Sequence, residues 1–187
     1  NDLKPEDMRE KERYLLHLLS FDEIKEIVSG ASFALAVLHL MDKNPLWKKE
    51  FDQSIQTLEK TENSENQIST AFVAIADLLD ENSDDLKNEF YEKALLKRQT
   101  MKNRNRGDFY AEASILKKMN KLSEAESQFR NLIKEEVNPE LYAGIRFHLG
   151  EIFMNQGDSR KAVTCFEECL SRNPFHLKAR KYLEGKI

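Results

Sequence analysis

Apolar residues recur along this chain at the spacing of amphipathic helices, and short polar stretches break the pattern at intervals. No run reads as a strand. The first helix is predicted from Pro5 to Leu19. Proline suits the first helical position, Glu6 and Asp7 favour the positive helix end, and Leu15, Leu16, Leu18 and Leu19 form an apolar second half. Ser20-x-x-Glu23 is a capping-box pattern that opens a second helix. Its residues Ile24, Ile27, Val28, Ala31, Leu35, Leu38 and Met41, joined by Phe33, Ala34, Ala36 and Val37, are apolar almost all round. A helix of that kind belongs at the centre of its neighbourhood. Asn44-Pro45 begins a third helix with Trp47, Phe51, Ile55 and Leu58 on one face, and this spacing makes Trp47 a core residue.

Thr61 to Asn66 reads as an exposed loop and a candidate boundary. Helical hairpins follow. Phe72, Ile75, Ala76 and Leu79 line one helix, Ser83-Asp84-Asp85 turns the chain, and Leu86, Phe90, Tyr91, Ala94 and Leu95 line the next. Asn103 to Gly107 is a break. Phe109, Ala113 and Leu116 then precede a turn at Asn120-Lys121, a capping-box pattern at Ser123-x-x-Glu126, and Ala125, Phe129, Leu132 and Ile133. Asn138-Pro139 starts another helix. The clearest hairpin has Phe147, Leu149, Ile152 and Phe153 before the turn Asn155-Gln-Gly157-Asp158. Ala162, Val163, Phe166, Cys169 and Leu170 follow it, and Pro174 ends the second helix. Leu177, Tyr182 and Leu183 mark a closing helix.

The stretch from Ala143 to His176 resembles a tetratricopeptide repeat (TPR), a unit of about 34 residues. The resemblance rests on Leu149-Gly150, Phe153, the Gly157 turn, Ala162, Phe166 and Pro174; the usual early Trp is Arg146 here. It extends to residues 106–139, where Glu112 stands in place of the expected Leu, and in degenerate form to 69–102. The expected fold is therefore all-α, a right-handed α–α superhelix of about ten helices. An N-terminal helical cap would cover residues 1–60, repeats would occupy 67–187, and 177–187 would close the array. In TPR proteins the first helix of each hairpin lines a concave groove. The resemblance implies a groove lined by Val73 and Asp77, by Tyr110, Ser114, Lys117 and Lys118, by Phe147, His148, Glu151 and Asn155, and by Lys178 and Lys181. Tyr110 and Phe147 are expected to be an exposed aromatic pair. The implied function is an adaptor or assembly scaffold that binds a peptide or helix of another protein; the same face could serve a homodimer. The carboxylate clamp that holds heat-shock-protein tails does not fit. In one register its positions are Val73, Asp77, Ala111, Gly144 and His148. In the next they are Tyr110, Ser114, His148, Lys178 and Tyr182, where only Lys178 matches.

Composition narrows the choice of function. Charged residues make up 33% of the chain, which together with only six Gly and four Pro fits a folded helical protein rather than a disordered one. The net charge of −4 argues against nucleic-acid binding by bulk charge. The most apolar run, Ile27 to Met41, is shorter than a membrane span of about 20 residues. Two cysteines without a disulfide framework indicate reduced thiols and an expected cytoplasmic setting. The chain begins at Asn1 rather than Met, which leaves room for a removed leader or anchor.

Catalytic signals are sparse. His17, His39, His148 and His176 show no metal-ligand spacing, and there is no P-loop or GxSxG. No cofactor and no metal are expected. Cys169 reads as a small interior residue, and a metal on Cys165, Cys169 and His148 is the rival reading. The acidic cluster Asp77, Asp80, Glu81, Asp84 and Asp85 lacks the spacing of a calcium loop. Lys97, Arg98, Lys102, Arg104 and Arg106 form a basic cluster. This gives the second functional reading, binding of nucleic acid or phosphoinositide.

Overall fold

A computed structural model describes residues 5–19, 25–134 and 138–185. These residues form ten α-helices and no strand: α1 Pro5–Leu18, α2 Lys25–Met41, α3 Trp47–Leu58, α4 Glu65–Leu78, α5 Asp84–Gln99, α6 Arg106–Lys118, α7 Leu122–Ile133, α8 Pro139–Asn155, α9 Ser159–Arg172 and α10 Leu177–Leu183. The all-α expectation holds, and the helices pack as consecutive hairpins: α2 with α3, α4 with α5, α6 with α7, α8 with α9. The chain divides into two compact units, Asn1–Lys102 and Asn103–Ile187.

In the N-terminal unit the core is aromatic. The Phe51 ring on α3 lies 5.3 Å from Phe72 of α4 and 5.5 Å from Phe90 of α5, and Trp47 meets Phe90 edge-on at 6.3 Å. Such pairs add about 1 kcal/mol each to the gain from burial. They bind α3 to the α4–α5 hairpin across the loop that reads in sequence as a boundary. The division of the chain therefore falls after Lys102 and not at residues 61–66, because Phe51, Phe72 and Phe90 share one core. Between α2 and α3, the buried Ser54 hydroxyl donates to the Ser29 carbonyl at 2.9 Å. The capping box expected at Ser20–Glu23 lies outside the described residues.

The C-terminal unit stacks two hairpins and α10. Asn120 and Gly157 adopt positive φ of 57° and 79° at the two tight turns. Asn138 caps α8 by accepting from the Leu141 N–H at 2.8 Å, and Asp158 caps α9 through the Lys161 N–H at 3.1 Å. The capping box expected at Ser123 does not form. Helix α7 begins two residues earlier, with Lys121 at its cap position and Ser123 inside the first turn. The capping box sits instead on the segment read as a break. Asn105 Oδ1 accepts from the Gly107 and Asp108 N–H groups, and Asp108 accepts from the Asn105 N–H at 2.8 Å. The polar residues that look like a helix breaker are the start signal for α6. Close to the chain's end, Gly150 lets α8 press on the Phe166 ring of α9, which stacks on Tyr182 of α10 at 4.6 Å and 7°.

Candidate functional site

Within the C-terminal unit the first helices of the two hairpins, α6 and α8, join through four side chains. From α6 come Tyr110 and Lys117, two turns apart on one face. From α8 come His148 and Glu151, three residues apart and so neighbours on the helix surface. Lys117 Nζ lies 2.9 Å from His148 Nδ1 and pairs directly with the Glu151 carboxylate. Glu151 also lies 3.1 Å from His148 Nδ1. The imidazole is stacked on Phe129 of α7 at 5.3 Å and 19°, and the Tyr110 ring stands 5.6 Å from it.

Burial pushes the pKa of His148 below its ordinary 6.5, and the nearby Lys117 charge acts in the same direction against the hydrogen bond to Glu151. The ring is therefore neutral at neutral pH, and its Nδ1 either donates to Glu151 or accepts from Lys117, according to the tautomer. Burial alone would raise Glu151, but hydrogen bonds from His148 and Lys117, with the Lys117 charge, hold it down to about 2. The Tyr110 phenol is pushed upward by burial and by the Glu151 charge, so it stays protonated. The result is a charge-balanced polar wall beside an aromatic ring. Tyr110 fits because Gly144 has no side chain: a Cβ there would lie 2.8 Å from the Tyr110 hydroxyl.

Phe147 corrects the expectation of an exposed aromatic pair. It is 6% exposed, and its ring packs 4.4 Å from His176, 5.9 Å from Phe166 and 6.2 Å from Tyr182. Successive helical residues point about 100° apart, so Phe147 turns toward α9 and α10 while His148 turns toward α6 and α7. Tyr110 is half-buried rather than exposed. The Ser114 hydroxyl donates to the Tyr110 carbonyl at 2.9 Å. Asn155, Lys178, Lys118 and Lys181 are exposed. Val73, half-buried, and Asp77, exposed, lie on α4 of the N-terminal unit, where the Tyr91 hydroxyl donates to Asp77 at 2.6 Å. Of the expected set, the structure gathers Tyr110, Lys117, His148 and Glu151. Phe129 and His176 complete the arrangement and were missed as site residues. Phe129 reads only as core, and the ring contacts it makes across helices leave no signal in local spacing.

The basic cluster is divided between the two units, and several of its charges are already engaged. Lys97 pairs with Glu59 at 2.7 Å, and the buried Arg98 donates to Asn66 at 3.0 Å. Arg104 pairs with Glu112 and lies 4.2 Å over the Phe109 ring. Glu112, at the position where Leu was expected, is buried and also accepts from Gln128 at 3.2 Å. Cys165 and Cys169 are free and buried, and burial raises both thiols, Cys169 to about 11. Among the described residues no group of three or more His, Cys, Asp or Glu is placed to hold a metal ion, and no helix is long and apolar enough to cross a membrane.

Residues 143–176, helices α8 and α9 with the turn after them, match the tetratricopeptide repeat family model. That segment of the chain carries the repeat, a hairpin unit that serves protein interaction. Among solved structures, the crystal structure of MamA is 17% identical, with 74% of this chain and 81% of that chain covered at a TM-score of 0.44. No curated protein matches the chain.

Proposed function

We propose that the chain is a non-catalytic interaction scaffold that holds a partner peptide or helix along α6 and α8. Tyr110, Lys117, His148 and Glu151 form the recognition set, with Ser114, Asn155 and Lys178 at its margins. The observation that carries this reading is the cross-linking of the two helices by the Lys117–His148–Glu151 cluster. A wall fixed before binding has little side-chain entropy left to lose when a partner arrives. Its charges are mutually satisfied, so a partner covers them without leaving an unpaired ion behind. Tyr110 offers an amphipathic ring of the kind that anchors partners.

The test is a photo-cross-linking residue placed at Ser114, facing α8, and in a second variant at Val163, which is 43% exposed on α9. The reading predicts that the Ser114 position captures a partner from native extract and the Val163 position does not. Capture from Val163 alone would place the partner on the outer helices. A product of twice the chain mass would identify a second copy of this chain as the occupant.

A further inference from the structure

In the N-terminal unit, His39 of α2 stands between carboxylates from two different helices. Its Nδ1 lies 2.6 Å from Glu50 Oε2 of α3, and its Nε2 lies 3.2 Å from Glu12 Oε1 of α1. The ring is buried, while the side chains of Glu50 and Glu12 are 16% and 41% exposed. A carboxylate only accepts hydrogen bonds, and a neutral imidazole donates from one nitrogen only. Both bonds therefore form together only when the ring is an imidazolium. Glu50 and Glu12 are the charged groups acting on His39; α4, which also packs on α2, supplies none among the described residues. Beside this contact, α1 and α2 flank an open cavity of about 660 Å³ lined mainly by Tyr14, Leu15, Ala34, Val37, Leu38 and Met41.

We propose that His39 is a proton-operated latch, which when charged clamps α1 to α2 and α3, and when neutral keeps Glu50 and lets Glu12 go. Loss of the proton to water leaves one N–H for two acceptors. Glu50 keeps it because its bond is shorter and its carboxylate more buried, so leaving it unpaired costs more. Release of α1 then uncovers the apolar side of α2 at Ala34, Val37 and Leu38. Burial on its own would lower the pKa of His39, but the hydrogen bonds and charges of Glu50 and Glu12 outweigh it, and the pKa lies above 6.5. For a base raised in the folded state, the contribution is complete below the unfolded value and disappears as pH rises through the folded one. The latch is thus closed in mildly acidic solution and opens on the alkaline side of 6.5.

The experiment follows amide hydrogen exchange of the full chain, corrected for intrinsic rates, at about pH 5.5 and about pH 8.5, either side of the histidine range. Protection of α1 amides is expected to fall about tenfold at the higher pH, the scale of one hydrogen bond to a charged group. Protection of α4 and α5 should not change. In Glu12→Gln the side-chain amide can donate to the neutral ring, so α1 should stay docked at both pH values. Wild-type α1 protection that is independent of pH would overturn the latch, and so would a Glu12→Gln variant that opens as the wild type does.

Discussion

Three glycines inside helices carry the same intrinsic benefit on replacement by alanine, about 1 kcal/mol of helix propensity each. The structure surrounds them differently, so the three substitutions separate packing from propensity. At Gly30 of α2 a new Cβ meets nothing within 4 Å. Gly30→Ala should therefore stabilise its unit by about 1 kcal/mol. At Gly150 of α8 the Cβ would fall 2.5 Å from Phe166 Cε1 and 2.8 Å from Cδ1 and Cζ. That ring is 1% exposed and backed by the stacked Tyr182 at 4.6 Å, so it has no direction in which to yield. Overpacking of this kind costs about 3 kcal/mol at its upper end, which outweighs the propensity gain and leaves Gly150→Ala about 2 kcal/mol less stable. Gly144→Ala lies between. Its obstacle is the Tyr110 hydroxyl at 2.8 Å, the tip of a half-buried side chain that can shift, so gain and strain should nearly cancel. Urea unfolding of the three variants, with midpoints compared at constant slope, reads the order directly. A Gly150→Ala variant as stable as Gly30→Ala would refute the packing of α8 on Phe166.

Other outcomes follow from the same geometry. Phe147→Ala should lower stability by about 3 kcal/mol or more, as for other large-to-small core changes, and calorimetry would show it as a lower melting temperature. Asn105→Ala should cost about 1 kcal/mol through loss of the α6 cap, while Ser123→Ala should be close to neutral by the same denaturant titration. Two histidines should titrate on opposite sides of 6.5, His39 above and His148 below, which NMR titration of the ring protons resolves. The sign for His148 is the reverse of that for His39. Its neutral form belongs to the folded state, so its contribution is lost as pH falls below 6.5. Glu151 adds acid sensitivity: with a folded pKa of about 2 against 4.5, its stabilisation is present above 4.5 and lost as pH falls through about 2. Glu151→Gln should remove that part of the acid-unfolding curve.

The helices were legible because their apolar stripes are regular and their turns carry residues with a mechanical reason to be there, such as Asn120, Asn138, Gly157 and Asp158. The cap of α6 was misread because Asn, Arg and Gly in sequence look like a breaker, and only the pairing of Asn105 with Asp108 turns them into a start. The boundary at 61–66 was misplaced for a different reason. Loop composition reports local exposure, whereas the shared core of Phe51, Phe72 and Phe90 is a long-range contact. The resemblance to the repeat family placed Tyr110, Lys117, His148 and Glu151 on the first helices of their hairpins, where the structure brings them together. It could not tell that Phe147, one residue from His148, turns under α10, because that depends on where His176 and Tyr182 return in space.

The central claim is that a partner lies along α6 and α8. Its most direct measurement is calorimetric titration of the partner captured at Ser114 against the wild-type chain and Tyr110→Ala, with circular dichroism confirming that the variant is folded. Loss of an anchoring aromatic at about 2 kcal/mol corresponds to roughly thirtyfold weaker binding, which is the result predicted. Unchanged affinity in a folded Tyr110→Ala chain would contradict it.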